Sequence, residues 1–255
     1  MCLVQGLSGP WAGDNIDLAN PGYVLPAELS GYLAGLPSAK RVLNRNWDSG
    51  LSQGMERAKM LPERCQMALK EWAVTIEAMA QGDQVLLLRK GGIHENGKDF
   101  RVIHREFLFY PTYLHQKEDL LQPAHQPALR KVLEQPHDDG HITFSYWAKA
   151  EEVLEISDQD NVDDLEPHYI WTTAYAQSRL HWKPMLPLSV LLLRVYKLEQ
   201  PVTVSYLPEY GGCTSWVEVL SDVALGKMEP VLDDAEFQRK VDDIKGSLGL
   251  KVTAG

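Results

Sequence analysis

Residues 82–116 read GDQVLLLRKGGIHENGKDFRVIHREFLFYPTYLHQ, and this stretch decides the class of fold. Val85, Leu86, Leu87 and Leu88 run unbroken into Arg89 and Lys90 and then into Gly91-Gly92. A short apolar run stopped by glycines predicts a strand buried on both faces. Asn96-Gly97 is a second turn signal, and residues 100–109 predict another strand. On that strand His104, Glu106 and Leu108 share one face, and Arg105, Phe107 and Phe109 the other. The segment carries Arg89, Lys90, Lys98, Arg101 and Arg105 against Asp83, Glu95, Asp99 and Glu106, in a chain of formal net charge −10. A basic, aromatic stretch on an acidic background predicts a site for an anionic ligand.

Outward from this stretch, Leu69, Trp72, Ala73, Ile76, Met79 and Ala80 recur at helical spacing, and Gly82 stops the run. The spacing predicts an amphipathic helix over residues 66–81. Short helices are expected over 118–122 and 127–135, and a half-exposed strand over 141–149. Residues 151–166 hold eight acids and no Lys or Arg, which predicts a solvated helix-and-loop segment. Next come a helix over 167–180, strands over 188–198 and 202–206 parted by Gln200-Pro201, and a turn at Tyr210-Gly211-Gly212-Cys213 leading into a strand over 216–220. A polar helix over 233–248, capped by Asp233 or Asp234 and closed near Gly249, ends the pattern. Leu-Leu-Leu-Arg at 86–89 and again at 191–194 marks two central strands that each leave the core at an Arg. This order lacks regular βα alternation. It predicts an α+β fold: a mixed, strongly curved sheet or a small β-barrel with flanking helices.

Residues 1–64, with Pro10, Pro21, Pro26, Pro37 and Pro62 and no sustained apolar period, are expected to form a loosely ordered extension. Residues 65–222 form the expected core domain, and 223–255 a C-terminal polar helix and tail. At 255 residues and 44% hydrophobic, the chain can bury a full core. No apolar run reaches the roughly 18–20 residues of a membrane span. Cys2, Cys65 and Cys213 are scattered without a CxxC, and no secretory signal is evident, so a reducing cytoplasm is the expected setting. A pI near 5.3 argues against whole-surface nucleic-acid binding and leaves a local groove.

The corner at Arg89, Lys90, Gly91 and Gly92 exposes backbone N–H groups beside two cations and suits a phosphate or carboxylate. Arg101, Arg105 and His115 are expected to add charge, with Tyr110 or Tyr113 stacking on a base and Gln116 beside them. Arg194, and Arg179 on the stripe Trp171, Tyr175, Arg179 and Trp182, are candidates for the same pocket. The stripe itself is expected to be packing, with Arg179 over an aromatic face. His94, Glu95, His104, Glu106 and His115 do not form a metal-ligand motif, so no metal or other cofactor is expected. A restriction-type nuclease core is equally unsupported, because Leu88 stands where the second carboxylate would be. No complete catalytic motif is present; His104 and His115 are the acid/base candidates if the protein is an enzyme.

Ala68 to Ala73 (ALKEWA), residues 86–93 (LLLRKGGI), residues 107–112 (FLFYPT) with His115-Gln116, residues 192–198 (LLRVYKL) and residues 210–217 (YGGCTSWV) together resemble bacterial domain-of-unknown-function family 1802, over about residues 66–220. Phe109 stands where that motif would carry a leucine. The resemblance implies no activity; members joined to restriction-endonuclease-like domains imply a role near DNA restriction or defence. The layout is also loosely similar to the small barrels of the pseudouridine-synthase-associated superfamily, which read RNA or modified bases. The leading expectation is a recognition module for an anionic ligand, foremost a nucleic acid. The alternatives are an enzyme on a phosphorylated substrate, or a scaffold whose acidic 151–166 segment binds a protein partner.

Overall fold

Leu86, Leu87 and Leu88 enter the core as β3 (Leu86–Arg89), paired antiparallel to β6 (Leu188–Ser205) with Leu86 opposite Leu192 and Arg89 opposite Ser189. All six leucines of the two Leu-Leu-Leu-Arg segments are buried. The computed structural model describes residues 42–44, 61–90, 104–212 and 214–250. The other strands are β1 (Val42–Asn44), β2 (Arg64–Trp72), β4 (Glu106–Thr112), β5 (His141–Ile156), β7 (Trp216–Ala224) and β8 (Met228–Pro230). The helices are α1 (Ala73–Ala80), α2 (Gln126–Glu134), α3 (Gln159–Asp164), α4 (Thr173–His181) and α5 (Asp234–Ser247).

The strands form one eight-stranded sheet in the order β3-β6-β5-β4-β2-β7, with β1 on β5 and β8 on β6. Among the described strands only β2 and β4 run parallel; the remaining pairs are antiparallel, so the α+β sheet is mixed. Three strands separate β3 from β2, yet Arg89 Nη2 donates to the Lys70 carbonyl at 2.7 Å. A flat sheet would hold those strands nearly 20 Å apart at about 4.8 Å per step. The sheet is therefore strongly curved. It is not closed, so the small-barrel alternative does not hold. Its concave face buries Leu69, Phe107, Phe109, Ala148 and Leu191 against α1, α4 and α5, while Ala68, Leu108, Tyr110, Phe144 and Trp147 build a second cluster on the other face.

Three local expectations are overturned. The helix over 66–81 is instead strand β2 followed directly by α1. Ala68 and Leu69 point to opposite faces and both are fully buried, because β2 lies between β4 and β7 with a cluster on each side. Two ladders of pairing outweigh the helical propensity of the Ala-Leu-Lys-Glu run. The break at Gln200-Pro201 is not an end: β6 continues through it, and the register with β5 slips between Phe144 and Tyr146. Proline is tolerated at such a bulge. The acidic segment divides, its first part completing β5, where Glu152 pairs with Lys245 of α5 at 2.5 Å. From the 1–64 segment, β1 adds three residues antiparallel to β5 at Ile156. The last helix is an integral layer, since Phe237, Val241 and Ile244 are buried in the concave core. Its capping box runs from Asp233 to Glu236, and Gly249 has φ +68, as a glycine stop requires.

Candidate functional site

β2 passes into α1 without a linker, and side chains from outside the helix serve its first N–H groups. Glu71 Oε1 accepts from the Trp72 N–H at 2.8 Å, and Gln116 Oε1 accepts from the Val74 N–H at 3.0 Å. Thr112, at the end of parallel β4, donates its hydroxyl to the Glu71 carbonyl at 3.0 Å. Across the curve of the sheet, Arg89 Nη2 lies 2.6 Å from Glu71 Oε2, with side-chain exposures of only 16% and 10%. Arg89 Nε is buried and finds no acceptor among the described residues.

Aromatic rings frame this pair. The Trp72 ring lies 5.2 Å from Tyr175 of α4, and Trp171 lies 6.1 Å from the same ring. Arg179, one helical turn on, sits over the Tyr175 ring at 5.0 Å and donates from Nε to its hydroxyl at 3.0 Å. Tyr175, foremost, and then Glu71 hold the Arg179 guanidinium above its ordinary pKa. On the other side Trp216 is opposite Leu69, two residues before Glu71 on the same face of β2. The indole packs edge-on to Phe107 at 5.2 Å and His104 at 5.5 Å. The mouth is this half-buried ion pair, with Trp72 next to Glu71 in the chain, Tyr175 and Trp171 packed beside Trp72, and Trp216 opposite Leu69.

Three of the expected ligand residues meet here in unexpected roles. Arg89 is tied to Glu71, and Gln116 is a buried helix cap. Lys90 is buried, its ammonium donating to the Leu180 carbonyl near the end of α4 at 2.6 Å. Burial lowers the Lys90 pKa to about 8. Between that value and roughly 10.4 the unfolded chain holds the proton and the folded chain has released it. Stability should therefore rise with pH from about 8 towards 10, by linkage. Thermal melts of wild type and Lys90→Met over that window should show the steeper rise in wild type; parallel curves would mean that the ammonium is not sheltered.

Arg194 and Arg105 do not share this mouth. Arg194 is buried beneath α5, its Nη2 2.7 Å from Asp234 Oδ1, its Nη1 donating to the Asp233 carbonyl, and its guanidinium 4.9 Å from the Phe237 ring. It lies five residues along β6 from the partner of Arg89, about 17 Å away. Arg105 precedes β4, and the parallel register sets it level with Cys65, six residues or about 20 Å from Glu71. Arg105 and Arg194 therefore do not join Arg89 in the single cleft expected for them. Tyr110 is buried edge-on to Phe144 with its hydroxyl pushed up to about 12 by burial and by Tyr206 and Tyr210, so it offers no free ring to a base. Tyr113 stacks on His137 at 4.4 Å, and His115 is exposed with φ 65. Gly91, Gly92 and Arg101, with His94 and Glu95, lie outside the described residues.

Glu71, Trp72, Tyr175 and Trp216 were missed as site residues. The helical period over 66–81 hid Glu71 and Trp72, whereas Arg179 over Tyr175 was legible as a helical pair. Among the described residues no group of three or more His, Cys, Asp or Glu side chains could hold a metal ion. No helix among them is long and apolar enough to cross a membrane.

No curated protein and no solved structure matches the chain. A family model does: residues 68–243, from the middle of β2 through most of α5, match the domain of unknown function DUF1802, and the chain belongs to that family.

Proposed function

We propose that this domain is a recognition module that takes a flat group of a nucleic acid into the mouth between β2, β3 and α4. The observation that carries the reading is the sheltered Glu71–Arg89 pair, with Arg89 Nε left without an acceptor beneath a rim of aromatic rings. Rings stack bases with little regard to sequence, and arginines add cation–π contact and hold phosphates. Arg179 stands exposed on that rim. The net charge of −10 favours such a local grip over contact along the whole surface. A module of this kind, reading a nucleic acid without cutting it, suits the role in restriction or defence that the family resemblance implies.

The test is fluorescence anisotropy with short labelled single-stranded RNA and DNA of mixed sequence at low salt. Tyr175→Ala should weaken binding by about 1–3 kcal/mol with the salt dependence unchanged. Arg179→Gln should instead flatten the log–log salt slope by roughly 0.7–0.9. Failure of the wild-type protein to bind any strand at low ionic strength would overturn the reading. Turnover of a phosphorylated substrate that depends on His104 or His115 would replace it with the enzyme.

A further inference from the structure

The stripe Trp171, Tyr175, Arg179 and Trp182 is fully packed only at its start. Trp171 is 3% exposed and Tyr175 is half-buried, whereas Arg179 is exposed and Trp182 half-buried beyond it. The stripe climbs out of the core at the mouth and runs on along α4. Trp182 closes that helix: its N–H donates to the Ser178 carbonyl at 3.0 Å, and its φ of −68 is still helical. It follows Tyr175 by seven residues. At about 100° and 1.5 Å per residue, its side chain points within about 20° of Tyr175, roughly 10 Å farther along the axis.

The second ring carries its own cation. Lys183 Nζ lies 4.7 Å over the Trp182 ring, as the Arg179 guanidinium lies 5.0 Å over Tyr175. A tight turn sets this arrangement: Lys183 has φ 52, its carbonyl accepts from the Leu186 N–H at 3.0 Å, and Pro184 restricts the backbone between them. Ring and cation therefore occur twice along one helix face. Residues 167–198, which include that face, contain no Asp or Glu in a chain of net charge −10. A nucleic-acid strand repeats a flat base and a negative phosphate in the same alternation. At about 3.4 Å per nucleotide of a stacked strand, the two rings stand roughly three nucleotides apart.

Resting on the recognition reading, we infer that the bound strand does not end at the mouth but follows α4 to a second station. There a base stacks against Trp182 and Lys183 meets a phosphate. Paired bases keep their faces covered by their neighbours, so the occupant of this track is a single strand. The test uses a labelled ten-nucleotide single strand of mixed sequence, long enough to reach both stations, in anisotropy titrations. Trp182→Ala should weaken its binding about tenfold, the size of one lost base–ring stack. Trp182→Phe, which keeps a ring, should lose less than about threefold. Lys183→Gln, an exposed change that leaves the ring in place, should lower the log–log salt slope by roughly 0.7. A loss below about threefold in Trp182→Ala, an equal loss in Trp182→Phe, or an unchanged slope in Lys183→Gln would overturn the track. The mouth would still stand on the loss in Tyr175→Ala. If wild type binds no strand, both readings fall together.

Discussion

Truncation of Leu192 to Ala is expected to lower the free energy of unfolding by about 2–5 kcal/mol. Leu192 is fully buried, sits opposite Leu86 on one side and Glu152 on the other, and belongs to the concave cluster. Removing its branched end leaves a void that two ladders of strand pairing prevent the neighbours from filling. Urea denaturation should show a lower midpoint with the slope retained, since the surface exposed on unfolding hardly changes. Leu220, 62% exposed on β7, is the internal control, because surface truncations usually fall within about 0.5 kcal/mol. Equal stability of Leu192→Ala and Leu220→Ala would contradict the central placement of β6.

Arg89→Met should be nearly as damaging, with a loss of about 3 kcal/mol. The variant strands the Glu71 carboxylate, which keeps the Trp72 N–H, and removes the link from β3 to the Lys70 carbonyl. Glu71→Gln should do the converse, leaving a sheltered guanidinium with neutral partners. In the double variant neither charge is stranded, so its loss should fall short of the sum of the single losses by about 1–3 kcal/mol of coupling. Strict additivity in denaturant melts would mean that the pair is not coupled. A loss below about 0.5 kcal/mol for Arg89→Met would return Arg89 to the ordinary surface cation that its Gly-Gly neighbours suggest.

The contrast between Arg89 and Arg194 shows how far such residues are legible. Both close a Leu-Leu-Leu-Arg segment, and from the sequence both leave a buried strand as free cations. In the fold one anchors the ion pair of the mouth, and the other holds the start of α5 through Asp233 and Asp234. Their partners lie 18 and about 40 residues away in sequence, at positions no local pattern links to them. Tyr110 fails in the same way: an aromatic among basic residues reads as a stacking ring, but the second cluster on the convex side covers it.

What the sequence determined by itself is what is closed within a few residues. The run 85–88 is apolar on every position and is buried on both faces; Asp233 and Glu236 cap α5 three residues apart; Gly249 ends it with a backbone angle that glycine favours. The period of a buried segment and the chemistry of a cap are local quantities, so they can be read without the fold. The tertiary structure alone decided that residues 64–72 are a strand, because β4 and β7 approach them from more than thirty and more than a hundred residues away. The curvature that carries β3 back to β2, and with it the mouth, is set by the packing of the whole sheet around one core. No single segment encodes that packing, since each side chain meets its partner only after the loops between them have closed.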